Sequence, residues 1–414
     1  MHRDSLSTEA PRRLPSLTGL RFIAAALVFA THVVWNTSLA AGPFGDGVRR
    51  LFSLSGAYGV GFFFILSGFV LTWTARRGDT AGRFWRRRFV KIYPSHLVTF
   101  LLAGVLLVAI AQPIATVDWV ASLLLVQAWF PDIGTSSAMN GPSWSLSCEF
   151  FFYLMFPLFF AAVRRLRATW LWWAVGVTVA LIAGAFLVAQ FLVTDQPRLT
   201  IFFLSGTYSF TQIWFVYFLP PVRALEFVLG MLLARIVLAG RWPAFGVLPA
   251  AAVAVAGYLV ALVAPYLAGT GGLASIWTAP LIAAAAVSDW RGTATGLRGR
   301  VLVRLGELSF AFYLVHWIVI MTAARLLGPQ RAFPQPVGYA LIAVLLAVSL
   351  LLAWVLHTVV EDPVVRRFSR PRTEERAPER AVPAGSGRPD DRALAFTGTQ
   401  AADDEPHHGR PAAE

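Results

Sequence analysis

The amino-acid sequence predicts an all-α polytopic membrane protein with about ten transmembrane helices. Hydrophobic residues make up 57% of the 414 residues, whereas charged residues make up only 14%. The mean hydropathy is +0.63. Several apolar runs approach or exceed the ~20 residues that a helix needs to cross the hydrocarbon core of a bilayer. Together these features are typical of a helical protein that crosses the membrane many times.

The apolar runs and their charged flanks predict the position of each span. The predicted spans lie near residues 17–37, 57–75, 94–112, 144–163, 169–193, 213–238, 244–265, 272–288, 305–325 and 337–359. The stretch "VDWVASLLLVQAWF" at 117–130 is too short to cross, and we expect an interfacial or re-entrant segment there.

Positive charges predict the orientation of these spans. The net charge is +13, and much of it falls in short loops between spans. The loop after the second span carries Arg76, Arg77, Arg83, Arg86, Arg87, Arg88 and Lys91. With a cytoplasmic N-terminus, this basic loop and the later arginine clusters all fall on the cytoplasmic side. An even number of spans then returns the C-terminus to the cytoplasm. Because the charge sets orientation, we expect no nucleic-acid partner.

The sequence predicts three regions along the chain. Residues 1–16 form a cytoplasmic N-terminal segment, residues 17–368 the transmembrane domain, and residues 369–414 a disordered cytoplasmic tail rich in Pro, Gly, Ala and charge. The single cysteine, Cys148, excludes a disulfide framework and a cysteine-rich metal site. We expect no metal, and the sequence leaves the oligomeric state open.

Two ionisable residues, Arg21 and His32, interrupt the first apolar run. Charged residues inside a membrane are expensive, so they are candidates for function. The two residues are eleven positions apart, which on a helix is three turns plus about 20°. They therefore share one helix face and are separated along the axis by about 16 Å. Anchoring by the arginine and a packing hydrogen bond by the histidine are the simpler explanations.

The stretch "GPSWSLSCEFFFYLMFP" at 141–157 places a carboxylate, Glu149, at the start of the fourth span. We expect this residue to lie a turn or two inside the membrane, at about the depth of His32. A carboxylate in that position can orient an imidazole and raise its basicity. Ser145 and Ser147 precede it and are candidates for a substrate site.

Two later spans also carry ionisable residues. In "YFLPPVRALEFVLGMLLAR" at 217–235, Pro220 and Pro221 are expected to break or kink the helix. Arg223 and Glu226 follow on one face, as a structural ion pair or as part of a substrate site. His316, in "LGELSFAFYLVHWIVI", is expected near the midplane of the membrane.

The stretch "RFWRRRFVK" at 83–91 has more arginines than orientation requires. Guanidinium groups bind phosphate through paired hydrogen bonds, so the stretch suits a ligand that carries phosphates. A polyanionic lipid headgroup fits this charge equally well.

In this order, these stretches resemble the membrane-bound acyltransferase-3 family. The matching stretches are the Arg21-x10-His32 spacing, "GVGFFFILSGFVL" at 59–71, "FWRRRFVKIYP" at 84–94, "WSLSCEFFFYLMFP" at 144–157, "LEFVLGMLLA" at 225–234 and "LSFAFYLVHW" at 308–317. They extend over nearly the whole chain up to about residue 368. Each motif alone is weak, whereas the ordered set is specific.

The resemblance implies an integral membrane O-acyltransferase with an acyl-CoA donor, most simply acetyl-CoA, and a hydroxyl acceptor. The acceptor would carry sugar, as a cell-envelope glycan or a secondary-metabolite glycoside. The resemblance further implies that His32 is the general base or acyl-handling residue, supported by Glu149. The residues that it assigns to the donor's phosphates are Arg21, Arg86, Arg88 and Lys91. Direct transfer and a transient acyl-enzyme both remain open.

A proton- or anion-coupled transporter, or a lipid-linked glycan flippase, is the alternative. The intramembrane charges and the proline-broken helix could form a transport pathway. The sequence contains no visible inverted repeat, because the basic stretch 84–94 has no counterpart in the second half. The residue pattern therefore favours the enzyme.

Overall fold

The computed structural model describes residues 11, 13–36, 43–75, 78–199, 207–328 and 333–368. The first helices are α1 (Pro15–Asn36), α2 (Pro43–Phe52), α3 (Ser55–Trp73), α4 (Ala81–Ala109), α5 (Thr116–Leu123), α6 (Ile133–Ser136), α7 (Trp144–Arg165) and α8 (Leu171–Phe191). They are followed by α9 (Phe210–Tyr217), α10 (Pro220–Leu238), α11 (Val247–Val263), α12 (Tyr266–Thr270), α13 (Gly272–Ser275), α14 (Ala279–Trp290), α15 (Arg300–Leu327), α16 (Gln335–Leu356) and α17 (Asp362–Phe368). These described ranges contain no β-strand, only an isolated antiparallel bridge between Arg198 and Ser209.

The fold class predicted from the sequence is confirmed. Within the described ranges, eight helical segments are long and apolar enough to cross a membrane. The other two predicted spans coincide with α10 and α11. Helix α11 has 17 residues, and α10 has 19 residues but includes Arg223, Glu226 and Arg235. The predicted segment 1–16 lies mostly, and the predicted tail 369–414 wholly, outside the described residues.

The stretch 117–130 does not cross, as expected. Helix α5 has eight residues, which corresponds to a length of about 12 Å, well short of the ~30 Å hydrocarbon core. A single 3-10 turn, Gln127–Trp129, follows. The indole of Trp214 on α9 donates to the carbonyl of Ala128 at 2.9 Å and attaches this turn to the bundle.

The basic stretch 83–91 is helical rather than the predicted loop. Helix α4 runs unbroken over 29 residues, with Pro94 inside it. The side chain of Thr80 caps its first turn by accepting from the amide of Arg83 at 3.4 Å. Arginine is a good helix former, and a hydropathy pattern records charge rather than backbone conformation. The helix therefore begins at Ala81, well before the start predicted for the apolar span at residue 94.

Helices α3 and α10 form the centre of the bundle and approach each other at two glycines. A Cβ on Gly68 would lie 1.9 Å from the carbonyl oxygen of Phe227, and one on Gly230 would lie 1.8 Å from that of Ile65. Small residues let membrane helices pack backbone against backbone. Helix α10 begins with Pro220 and Pro221 after α9 ends, so the predicted helix break is confirmed.

Helix α1 packs along α15, and α15 packs against α16. Near one end of α1, the amide and hydroxyl of Ser16 donate to the two carboxylate oxygens of Asp289 at 2.8 and 2.7 Å. Arg298 also lies 3.6 Å from this carboxylate. The start of α1 is thereby fixed against α14 and the chain that leads into α15, which sets the depth of the residues along α1.

Candidate active site

A cavity of about 150 Å³ lies among α1, α3, α4, α7 and α15. Its polar lining residues are Arg21, Ser67, Arg88, Lys91, Ser145, Glu149, Tyr153, Ser309 and Tyr313. Five of these were singled out from the sequence: Arg21, Arg88, Lys91, Ser145 and Glu149. The structure therefore brings together residues from three helices that are far apart in the chain.

Helical spacing explains why these side chains converge. Arg88 and Lys91 are three residues apart on α4, and Glu149 and Tyr153 are four apart on α7, so each pair lies on one helix face. The Tyr153 hydroxyl donates to Oε2 of Glu149 at 3.3 Å. Because α4 is helical through the basic stretch, both cations point into the bundle instead of into a loop.

Positive charge exceeds negative charge in this cavity. Among the described residues, no carboxylate lies within 4.0 Å of the side-chain nitrogens of Arg21, Arg88 or Lys91, and Nε of Arg88 is buried without a hydrogen-bond partner. Glu149 is the carboxylate in the lining. A second carboxylate, Glu361, is near enough to interact electrostatically with Arg21 and Lys91. Partly buried cations without bonded anions are suited to a polyanionic ligand.

A pair of histidines lies next to this cavity. Nδ1 of His32 is 2.8 Å from Nε2 of His316, and the two rings are nearly parallel, at 19°, and meet edge to edge with their centroids 5.1 Å apart. The indole of Trp317 lies edge-on to the His32 ring at 4.8 Å. His316 is fully buried, and its Nδ1 lies 3.1 Å from the carbonyl oxygen of Phe312. The ring of His32 is therefore held by His316 and Trp317, and the ring of His316 by His32 and the Phe312 carbonyl.

The cavity and the histidine pair are neighbours separated by an aromatic wall. Phe63 and Tyr313 line the cavity, and the Tyr313 ring lies 5.8 Å from the ring of His316. On α1, the buried Phe29 lies between Arg21 and His32 in the chain and packs against Phe312. The shared face of α1 therefore meets the cavity at Arg21 and the histidine pair at His32.

The expected contact between Glu149 and His32 is not formed. Glu149 bonds to Tyr153 among the cations, whereas His32 bonds to His316. The depth of α7 explains the difference. Tyr313 donates to the carbonyl of Pro142 at 3.0 Å, and its hydroxyl lies 2.8 Å from that of Ser145. The start of α7 is therefore already beside the histidine level, and Glu149 lies a turn further along.

Two other predicted residues lie outside the cavity lining. Arg86 is exposed and lines a neighbouring, mostly apolar cavity of about 290 Å³. Ser147 is buried, and its hydroxyl has no hydrogen-bond partner among the described residues. On α7 it lies two residues from both Ser145 and Glu149, which turns it away from the face that those two share.

Arg223 and Glu226 form a separate buried ion pair. Nε of the arginine lies 3.0 Å from Oε2 of the glutamate, and both side chains are almost completely buried. The guanidinium also lies over the ring of Phe64 at 5.0 Å, and Ser275 donates to Glu226. The pair thus joins α10 to α3 and α13, which agrees with the structural interpretation of these residues.

Several site residues were missed from the sequence, although three of them, Tyr153, Ser309 and Tyr313, carried a signal in their spacing. Tyr153 follows Glu149 by four residues. Ser309, Tyr313 and His316 have i, i+4, i+7 spacing, which places them on one face of α15. Glu361, which was not singled out from the sequence as a site residue, is buried and lies 3.0 Å from Nδ1 of His357. Among the described residues, no group of three or more His, Cys, Asp or Glu could hold a metal ion.

Comparison with known proteins places this arrangement in a family. The family described as "Acyltransferase domain" matches residues 14–358. Acyltransferase MdmB of Streptomyces mycarofaciens is 44% identical over 380 residues, which cover 89% of this chain and 96% of the relative. No solved structure matches the chain.

More distant relatives have names that specify O-acetyl transfer. O-acetyltransferase OatA of Staphylococcus aureus is 25% identical over 86% of this chain and 58% of its own length. Peptidoglycan O-acetyltransferase OatA of Listeria monocytogenes is 30% identical over 163 residues, or 35% of this chain and 24% of its own. The family match, over residues 14–358, extends over nearly all of the membrane domain that contains the cavity and the histidine pair. The chain therefore belongs to the acyltransferase-3 family and is a membrane acyltransferase.

Proposed function

We propose that the protein transfers an acyl group, most simply acetyl, from acyl-CoA to a hydroxyl of a sugar-containing acceptor. The single observation that carries this proposal is the cavity with Arg21, Arg88 and Lys91 beside the paired histidines. The names of the OatA relatives support O-acetyl transfer. A donor with several phosphates matches the excess of positive charge.

The three cations would bind the phosphates of the donor. A guanidinium can give two parallel hydrogen bonds to one phosphate, and an ammonium acts as a compact point charge. The buried, unpartnered Nε of Arg88 is the donor atom that most needs an acceptor. Because Glu149 lies among these cations, it would keep them partly neutralised while no donor is bound.

His32 would act as the general base for the transfer. Histidine is the side chain whose unperturbed pKa lies closest to neutral pH, so an imidazole is suited to accept and return a proton. The acceptor oxygen attacks the thioester carbonyl carbon, a C–O bond forms, and the C–S bond breaks. The hydroxyl proton passes to His32 and then to the leaving CoA sulfur. For this step the thioester must pass the wall of Phe63 and Tyr313 that separates the cavity from the histidines.

The acceptor remains defined by its class, a hydroxylated glycan or glycoside. The relatives' names include a peptidoglycan O-acetyltransferase, which favours an envelope glycan. The closer relationship by identity is to an acyltransferase of Streptomyces. Mass spectrometry of envelope material and secreted glycosides, with and without the gene, will reveal which fraction gains 42 Da per acetyl group, about the mass of C2H2O.

The direct test is release of free CoA by purified protein supplied with acetyl-CoA and an envelope-glycan or glycoside acceptor. We expect release that depends on the acceptor and yields an acetylated product of matching amount. A transporter or flippase would instead move substrate across vesicle membranes without any acyl donor. Acceptor flux with no CoA release would contradict the proposal.

A further inference from the structure

The hydrogen bonds of His316 determine where its proton lies. The carbonyl oxygen of Phe312 can only accept, so Nδ1 of His316 must donate across the 3.1 Å between them. His316 is fully buried, and no described carboxylate bonds to it, so the neutral ring is favoured. A neutral imidazole has one N–H, which leaves Nε2 of His316 with a lone pair.

The proton position on His316 in turn determines that on His32. Nε2 of His316 lies 2.8 Å from Nδ1 of His32. Because this Nε2 has no proton, Nδ1 of His32 must donate to it. The remaining nitrogen of His32, Nε2, then has the lone pair that can accept a proton. The chain of contacts from the Phe312 carbonyl through two imidazoles thus selects one tautomer of His32.

We propose that His316 is the positioning residue that holds His32 as its Nδ1–H tautomer, with Nε2 available as the base. This inference rests on the proposed function, because it assigns His32 the proton-accepting step. When Nε2 of His32 takes the acceptor's proton, the ring becomes cationic. Its Nδ1–H bond to His316 then becomes charge-assisted and shorter, so the pair stabilises the imidazolium as it forms.

A purely structural role predicts a different behaviour. The contact between α1 and α15 already contains an apolar cluster that includes Ala25, Phe29, Ala311, Phe312 and Val315. An apolar residue of similar volume at position 316 would extend this cluster and keep the helices together. Only the acceptor atom for His32 would be lost.

Steady-state kinetics of two variants separate these roles. His316→Leu removes the acceptor, and we expect kcat to fall at least about tenfold, within the ~10²–10⁴ that a general base supplies. KM for acetyl-CoA should stay within about twofold, since donor binding is untouched. His316→Gln places an amide oxygen near Nδ1 of His32 and should recover most of the lost kcat. Unchanged kcat in His316→Leu would overturn the proposal, as would an equal loss in both variants.

A matched control comes from a second buried histidine. His96 is almost fully buried and lies 3.0 Å from the carbonyl oxygen of Ser122, away from the histidine pair. His96→Leu should lower thermal stability without the selective loss of kcat. A loss of kcat equal to that of His316→Leu would show that replacing any buried histidine lowers kcat. That result would count against the positioning role.

Nitrogen-15 NMR of the wild-type protein tests the hydrogen bond without using activity. With histidine labelled, the signals that vanish in His32→Gln belong to His32. We expect a protonated Nδ1 and an unprotonated Nε2 on this ring. A protonated Nε2 with a bare Nδ1 overturns the inference even if the enzyme transfers acetyl groups. Conversely, absence of acetyl transfer would refute the proposed function while leaving this spectrum interpretable.

Discussion

At the scale of single residues, the ionisable groups inside apolar helices are the most informative feature. Arg21, His32, Glu149 and His316 stood out in the sequence because charge is rare at membrane depth. The sequence did not predict which of these residues would contact one another. The contact between His32 and His316 joins residues 284 positions apart, and it arises from the packing of α1 on α15. The lining residues Ser67, Tyr153, Ser309 and Tyr313 were missed because serine and tyrosine are common in ordinary helix contacts.

Replacing the cavity cations should weaken donor binding selectively. For Arg88→Met and for Lys91→Met, we expect KM for acetyl-CoA to rise about 10- to 100-fold, since a hydrogen bond to a charged group contributes roughly 1.5–3 kcal/mol. kcat should change much less. Steady-state kinetics at varied acetyl-CoA concentration measure both quantities.

Arg165→Met is the control for these variants. Arg165 is exposed in the last turn of α7, outside the cavity lining. The Arg165→Met replacement removes one positive charge, as the cavity variants do, but leaves the cavity unchanged. A KM that rises as much in Arg165→Met as in Arg88→Met would show that net charge, rather than the cavity, attracts the donor.

At the scale of helices, the sequence predicted which helices exist better than it predicted where each helix begins and ends. All ten apolar runs correspond to helices, but α4 begins well before its apolar part. The charged first turns lie in the same helix because helical hydrogen bonding does not depend on hydropathy. The depth of α7 was also missed, since it depends on contacts of Tyr313 with Pro142 and Ser145. Such contacts between distant segments leave no periodic signal in the chain.

Adding a methyl group between α3 and α10 should destabilise the bundle. We expect Gly230→Ala to lower stability by about 1–3 kcal/mol, the usual effect of overpacking, because the new Cβ would collide with the Ile65 carbonyl. Gly184→Ala is the control, since no atom lies within 4 Å of its added Cβ. Thermal unfolding in detergent measures both, and equal melting temperatures would contradict the close helix contact.

The buried ion pair on α10 should be needed for stability rather than for chemistry. Arg223→Met leaves Glu226 buried without its cation, and we expect a loss of about 3–5 kcal/mol. The double replacement Arg223→Met/Glu226→Met should recover much of that loss, because no unpaired charge remains. Thermal unfolding gives the stabilities, and kcat per folded molecule should stay near the wild-type value in the double variant. Loss of kcat in a stable double variant would indicate a direct role.

At the scale of the whole molecule, the charge distribution predicts which end faces the cytoplasm. The end of α7, the start of α15 and the start of α4 all carry arginines. Together they form the basic end of the molecule. The sequence predicts the side of the membrane on which this basic end lies. The positive-inside pattern predicts the cytoplasm, where acyl-CoA is made.

Cysteine labelling in intact cells tests this orientation. The native Cys148 is buried and should not react. With a membrane-impermeant maleimide, Thr194→Cys, beyond the opposite end of α8, should react in intact cells, whereas Arg165→Cys should react only after permeabilisation. The reverse labelling pattern would show that the basic end faces outward, away from the cytoplasmic donor pool.

The central claim is that the cation-lined cavity binds acyl-CoA and that His32 takes the acceptor's proton. The most direct measurement is single-turnover transfer of radiolabelled acetyl from acetyl-CoA by the wild type and by His32→Ala, with donor binding measured in parallel. We predict that His32→Ala binds acetyl-CoA as the wild type does, but transfers acetyl at least about 10²-fold more slowly. Undiminished transfer by His32→Ala would exclude His32 as the base that takes the acceptor's proton.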